Sequence, residues 1–278
     1  MKIKKHTYFF SLIGFIITFI VTGQTSIMSF NIRYDNPNDN QNSWKYRKKE
    51  ITDMINYYSP EVLGIQEGLG NQVKYLDSVL VDYDYVGVGR DDGKSKGEYT
   101  AIFYRKEKIK LISTKTYWLS ENPDSVSIGW DASMNRIVTF GEFLDIASQE
   151  RLEIFNCHFD HIGKISQKKS AELILQIIED KKIESNKIIV MGDFNNIPES
   201  EPIKILQTKL KDSFKESKLK PYGPIGTFNG FDLEIITEKR IDYILTNNIK
   251  ILKYANIDDR RTNNMYLSDH FPILITIE

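Results

Sequence analysis

Twice along the chain a short β-rich apolar segment runs into an amphipathic helix and returns to strands, with no Pro/Gly/Ser-rich linker between the halves. That order restricts the fold, because parallel strands need helical crossovers and every sheet must bury a face against another layer. The first half reads as a strand over Thr25–Arg33, then a helix N-capped by Ser43. In that helix Ile51, Met54, Ile55 and Tyr58 recur at helical spacing, and Pro60 ends it. A strand at Val62–Gln66 and a helix at Gln72–Leu80 follow. Further strands are expected at Tyr83–Val88, Thr100–Tyr104, Ile109–Trp118 and Arg136–Leu144. The second half opens with a strand at Arg151–His158 and a helix at Ser166–Asp180. After it come a strand at Ile188–Met191, a helix at Pro202–Leu210 with proline in its first turn, and strands at Arg240–Thr246, Ile249–Asn256 and Phe271–Ile277. Each half is expected to supply one mixed sheet with helices outside it. Two such sheets packed face to face make an α+β fold, a four-layer α/β/β/α sandwich, in one domain over residues 24–278.

Residues 1–23 are set apart from that domain. Lys2, Lys4 and Lys5 precede an uncharged apolar run, Tyr8–Val21, and then Gly23. This is the layout of a secretory signal peptide. The other reading, a retained anchor, fits less well, since the run is short for a span and a strand pattern begins at once. Removing 1–23 takes away three lysines and no acid, so the chain moves from −1 to −4. An exported protein without stable membrane association is expected, acting as a monomer. The acidic balance does not advertise a duplex-DNA groove. The single cysteine, Cys157, rules out an internal disulfide and a cysteine-based zinc site. It reads as a core residue, because its strand neighbour His158 points to the opposite face.

Beyond residue 23 the histidines are His158, His161 and His270, and each stands within two residues of an acid. Other polar residues cluster at the ends of apolar strand patterns: Asn31 in SFNIR, Gln66 and Glu67 in GIQEG, Asp193 and Asn195 in GDFN, and Asp242, two residues after Arg240, in RIDYI. Polar groups at strand ends are held by a rigid scaffold yet reach solvent. Carboxylate, amide and imidazole donors without thiolates point to Mg²⁺ or Mn²⁺. Dinucleotide, P-loop and serine-hydrolase motifs are absent from the sequence.

SFNIR, GIQEG, GEYTAIFYR, NRIVTF, NCHFDH, GDFN, RIDYI and SDHFP, running from Ser29 to Pro272, together resemble the endonuclease/exonuclease/phosphatase superfamily with its deoxyribonuclease I-like fold. GEYTAIFYRK, TYWLSENPD and GTFNGF look like its compact exported bacterial branch. The resemblance implies that Glu67 is the principal metal ligand, with Asn31 and Asp269 beside the ion. It implies that Asp193 orients or deprotonates the attacking water and that Asn195 holds a phosphate oxygen or the nucleophile. His158 and His270 would contact the scissile phosphate, each backed by a carboxylate, Glu98 and Asp242 respectively, that raises its pKa. Arg136 falls at a phosphate-binding position. The implied activity is metal-dependent hydrolysis of a phosphate ester by direct water attack. A phosphodiester, as in a nuclease or phosphodiesterase, is the leading substrate. The alternatives are a small-molecule phosphatase for sugar phosphates, nucleotides or lipid headgroups, and an inactive binding protein on the same fold.

Several residues carry blander readings. Asp160 and His161 serve equally as a helix-capping loop pair or as part of the site. Arg240 reads as a structural ion pair. The run Lys45, Arg47, Lys48, Lys49 reads as a solvated helix face, and Lys94 and Lys96 as a flexible polar loop. Tyr117, Trp118, Trp130 and Phe228 read as core aromatics first and as a stacking pocket second.

Overall fold

The computed structural model describes residues 23–235 and 237–278, so the leader reading lies, but for its last residue, outside the described residues. In chain order the elements are β1 (Thr25–Asn31), α1 (Trp44–Tyr58), β2 (Val62–Gln66), β3 (Gly68–Leu69), α2 (Gly70–Val79), β4 (Tyr83–Val86), β5 (Glu98–Tyr99), β6 (Ile102–Arg105), β7 (Ile109–Trp118), β8 (Ile137–Asp145), β9 (Arg151–His158), α3 (Lys164–Asp180), β10 (Lys187–Asp193), α4 (Glu201–Leu206), β11 (Lys211–Asp212), α5 (Ser213–Glu216), β12 (Asp242–Asn247), β13 (Ile251–Asn256) and β14 (Ile273–Ile277). One six-stranded sheet runs β13-β14-β1-β2-β6-β4 and the other β11-β12-β10-β9-β8-β7. The four-layer α+β sandwich expected from the sequence is therefore present.

The halves do not each build one sheet, however. β7 and β8 come from the first half and join the second sheet, while β13 and β14 return to the first. Hairpin pairing explains the exchange. The β8–β9 turn is short and is tied by Asp145 Oδ1, which accepts from Ala147 N and Ser148 N, so β8 stays beside β9. The C-terminal hairpin closes against the free edge of β1.

Strand alternation makes three apolar layers. Ile27, Ile154, Ile189, Met191 and Ile275 point between the sheets. Met28 and Phe30 point the other way, toward α1 and α2, packing with Ile51, Ile55 and Leu76. Phe155, Ile188 and Val190 pack under α3 with Ala171, Ile174 and Ile178. Strands buried on both faces read as continuous apolar runs, which is why they were visible without a clean alternation. Burial of one such side chain stabilises by roughly 1.5–3 kcal/mol.

Register brings the polar strand ends together. β1 and β2 are parallel with Asn31 opposite Gln66, and β9 and β10 are parallel with His158 opposite Asp193. β12 is antiparallel to β10 and starts at Asp242, directly opposite Asp193. β14 is antiparallel to β1, so the Asp269–His270 segment before it arrives at the same end. Gln66 and Asn156 pin the sheets to one another near that end. Gln66 Nε2 donates to Asn156 Oδ1 at 2.6 Å, and Asn156 Nδ2 donates to the Ile65 and Ala101 carbonyls.

Arg47 departs from the solvated-face reading. It is fully buried and donates to the carbonyls of Ile32, Arg33, Asn42 and Leu267, tying α1 to the chain after β1 and to the segment before His270. Lys45 and Lys49 on the same helix do face solvent. Arg47→Met removes these donors and leaves buried carbonyls unpaired. A loss of about 3 kcal/mol or more is expected, read as a lowered urea midpoint at unchanged slope. An unchanged midpoint would show that solvent already satisfies those carbonyls.

Candidate active site

The strand ends open into a cleft of about 530 Å³ lined by Glu67, His158, Asp193, Asn195, Asp269 and His270, among others. Asp193 is its centre. Its Oδ2 accepts from Asn31 Nδ2 at 3.0 Å and lies 3.6 Å from His158 Nε2 and 3.8 Å from His270 Nε2. The preceding residue, Gly192, has φ +140°, and a Cβ there would stand 1.9 Å from the Cys157 carbonyl oxygen. Only glycine lets β10 press against β9 at this point. Glu67 and Asn195 take left-handed backbone conformations just beyond their strands, with φ 62° and 50°. Such conformations cost free energy for residues with a Cβ and cluster at functional sites.

Glu67 is fixed by two donors, Asn31 Nδ2 at 3.0 Å and Tyr34 N at 3.1 Å. Asn31 is held in turn, since its Oδ1 accepts from Arg33 N. Asp269 sits across the cleft 3.5 Å from Arg33 Nη1. Asn195 N donates to Asp193 Oδ1, and its Nδ2 donates to the Phe159 carbonyl, so its side chain braces the turn that carries Asp193. His270 Nδ1 and Asp242 Oδ2 are 2.8 Å apart.

The electrostatics divide the two histidines. Burial opposes charge on His270, but Asp242 and Asp193 outweigh it and lift its pKa to about 10. Burial and the Arg136 guanidinium push His158 the other way, to about 3. The expectation that a carboxylate raises both is therefore corrected for His158. Its Nδ1 lies 3.6 Å from Glu98 Oε2 and makes no hydrogen bond. The carboxylate of Glu98 is claimed by Arg90, which binds it through both terminal nitrogens at 2.7 and 2.9 Å. Bidentate guanidinium pairing of this kind outcompetes a long contact to a neutral imidazole.

Arg136 lines the cleft but is partly occupied. Its Nε donates to Asp160 Oδ2 at 3.3 Å and its Nη2 to His161 Nδ1 at 3.0 Å. Asp160 is fully buried and also accepts from Ser133 N and Oγ, Ile162 N and Gly163 N. It is a structural hub, and His161 is the member of that pair that reaches the cleft.

Other bland readings hold. Cys157 is fully buried in the core. Arg240 and Asp212 form a buried bidentate pair. Lys94 and Lys96 do not line the cleft, but their loop is ordered, not flexible, since Asp92 Oδ1 accepts from the backbone of Lys94, Ser95 and Lys96. Tyr117 and Trp118 are buried, whereas Phe228 lines the cleft edge-on to His270 at 5.1 Å.

Three contributors went unread in the sequence. Arg90 fixes Glu98. Arg33 faces Asp269. Thr227, fully buried, accepts from Ile241 N and Asp242 N through Oγ1 and so sets the start of β12. GTFNGF was the available signal for Thr227, because Asn229 N and Gly230 N also bind the Asp269 carbonyl.

The residues fit a hard divalent cation. Ligand atoms of Glu67, Asp193 and His270 lie within 4.8 Å of one another. Burial first, and the Glu67 charge, push Asp269 up to about 6, while burial and Asp242 raise Asp193. Buried carboxylates crowded in this way are relieved by a cation. His270 already carries charge toward the same space, so Glu67 and Asp193 are the better donors of the three. Asn31 presents its amide nitrogen to them and supports the carboxylates instead of offering an oxygen.

The Endonuclease/Exonuclease/phosphatase family model matches residues 28–270. The crystal structure of an endonuclease/exonuclease/phosphatase from Bacteroides vulgatus is 37% identical, with a TM-score of 0.87 over 92% of this chain and 99% of that one. A mannosyl-6-phosphatase from Bacteroides thetaiotaomicron is 35% identical, with a TM-score of 0.87 over 91% of this chain and 99% of that one. An uncharacterized protein of Acanthamoeba polyphaga mimivirus is 32% identical over 160 residues, 55% of this chain and 59% of that protein. This last match thus spans less than two thirds of the viral relative.

Proposed function

The chain belongs to the endonuclease/exonuclease/phosphatase family, and from that premise we propose that it hydrolyses a phosphate ester of a small polar molecule, outside the cytoplasm and as a monomer. Members of the family are phosphoester hydrolases, and the convergent set Glu67, Asp193 and His270 carries the reading for this chain. The alternative weighed second in the sequence, a small-molecule phosphatase, moves ahead of the phosphodiester. A cleft of about 530 Å³ suits a small ligand. A net charge near −4 beyond residue 23 offers little of the neutralising charge that duplex DNA draws on. The similarity to a mannosyl-6-phosphatase supports the same choice.

Bound Mg²⁺ or Mn²⁺ would offset the negative charge that builds on the phosphate oxygens. The chain's own groups do the rest. Asp193, whose pKa is raised, takes the proton of the attacking water as the P–O bond to the alcohol breaks, and the departing alcohol oxygen takes its proton from solvent. His270, charged and held through Nδ1 by Asp242, donates from Nε2 to a phosphate oxygen. His158, neutral and deeply buried, shapes the wall beside Asp193. No nucleophilic side chain is required.

The test is a panel assayed with Mg²⁺: hexose 6-phosphates and p-nitrophenyl phosphate against bis-p-nitrophenyl phosphate, DNA and RNA. Turnover of monoesters at least about tenfold above the diesters is expected, and the reverse order would overturn the choice. Export rests on the lysine cluster and apolar run before residue 23. Among the described residues no helix is long and apolar enough to cross a membrane. Fractionation is expected to find the protein outside the cytoplasm without its leader, and an intact N-terminus in the cytoplasm would refute this.

A further inference from the structure

His161 stands apart from the phosphate corner. Asn31, Glu67, Asp193, His158 and His270 are linked to one another through contacts of 3.0–3.8 Å, and His161 is not among them. Its side chain is exposed, lines the same cleft, and has one polar contact, to Arg136. That contact settles its chemistry. A guanidinium can only donate, so Nδ1 of His161 must be the acceptor, and the neutral ring must carry its proton on Nε2.

The support behind the ring is unusually rigid for an exposed residue. Arg136 is 3% exposed and Asp160 fully buried. Asp160 takes Arg136 Nε at 3.3 Å while its remaining lone pairs are filled by Ser133, Ile162 and Gly163. The guanidinium is therefore fixed in orientation, and it fixes the imidazole plane in turn. The loop after β9 and the segment before β8 are both built into this support, which is more structure than an idle surface histidine needs. Nothing among the described residues accepts from Nε2.

We propose that His161, oriented by the Asp160–Arg136 pair, is a specificity-determining donor that binds a hydroxyl oxygen on the organic part of the substrate, beyond the reacting phosphate. The ligand class is a polyhydroxylated, sugar-like phosphate ester. The proposal rests on the phosphomonoester reading above and adds which side chain recognises the alcohol. Arg136 is in this account chiefly a positioning residue.

The experiment compares kcat/KM for mannose 6-phosphate, which carries hydroxyls, with that for p-nitrophenyl phosphate, which carries none. The ratio cancels the fraction of folded enzyme, so a merely structural loss leaves it fixed. His161→Ala is expected to lower the ratio about tenfold, the scale of one hydrogen bond, mostly through KM. His161→Gln keeps an acceptor for Arg136 and an N–H donor toward the cleft, and it is expected to restore most of the ratio. An equal fall on both substrates, or a ratio that Gln does not restore, overturns the proposal. A wild-type protein inactive on both monoesters but active on a diester removes the monoester reading itself, and this assignment with it.

Discussion

Stripping divalent cations from the protein with excess chelator is expected to abolish hydrolysis, with Mg²⁺ or Mn²⁺ restoring it. The basis is the crowding of negative charge in the cleft: Glu67, Asp193 and Asp269 all line it, burial and Asp242 raise Asp193, and burial and Glu67 raise Asp269. Glu67→Gln removes the negative charge of this carboxylate while keeping one acceptor for Asn31 or Tyr34. Activity at fixed Mg²⁺ is expected to fall about 10²–10³-fold, with half-saturation moved to higher Mg²⁺. A second readout is independent of turnover. A ligand that binds only the folded state stabilises it, so Mg²⁺ raises the melting temperature of the wild type and has a smaller effect on Glu67→Gln. Full activity in chelator, or equal thermal shifts in both proteins, would refute the metal site.

The second large effect is at His270 and Asp242. His270→Ala is expected to cut turnover ~10²–10⁴-fold, the range of a positioned acid or charge-stabilising group. Asp242→Asn costs less, because the imidazole remains and only its charge and orientation suffer. Once His270 is alanine, Asp242→Asn adds little, since the pair acts as one unit. Additive losses in that double-mutant cycle would mean that the 2.8 Å contact does not matter to catalysis. The same pair predicts a pH dependence of stability in chelated protein. The folded pKa of about 10 lies above the ordinary 6.5, so the folded state holds the proton more tightly than the unfolded one. The stabilisation is complete below about 6.5 and is lost as pH climbs toward 10. Asp242→Asn should flatten that decline, and an unchanged slope would remove the assignment.

Much of the site was legible because its residues close strands. Asn31, Glu67 and Asp193 follow apolar segments long enough to be recognised and Asp242 precedes one; parallel pairing of β1 with β2 and of β9 with β10, and antiparallel pairing of β12 with β10, then carry them to one end. Elements failed to show where length or partner was missing. The helix expected over Pro202–Leu210 ends at Leu206, and β11 and α5 are too short for periodicity to register. Ser43 stands at the N-cap position, yet its hydroxyl donates back to Asn40 O and caps nothing. Arg47 looked like its lysine neighbours because a charge pattern cannot say which side of a helix meets four backbone carbonyls.

By itself the sequence determined the layers and the chemistry. Apolar strands buried on both faces call for a sandwich, and oxygen and imidazole donors without thiolates point to a hard cation more than to a soft one. Only the tertiary structure decided which strands share a sheet, because hairpin closure of β8 on β9 and of β14 on β1 depends on pairing between distant segments. Only it decided that His270 is charged and His158 neutral. Both histidines have an acid nearby, but Asp242 is free to hold His270, whereas Arg90 has taken Glu98 and Arg136 stands beside His158. A pKa follows from burial and from the distances to every neighbouring charge, and neither exists until the chain has folded.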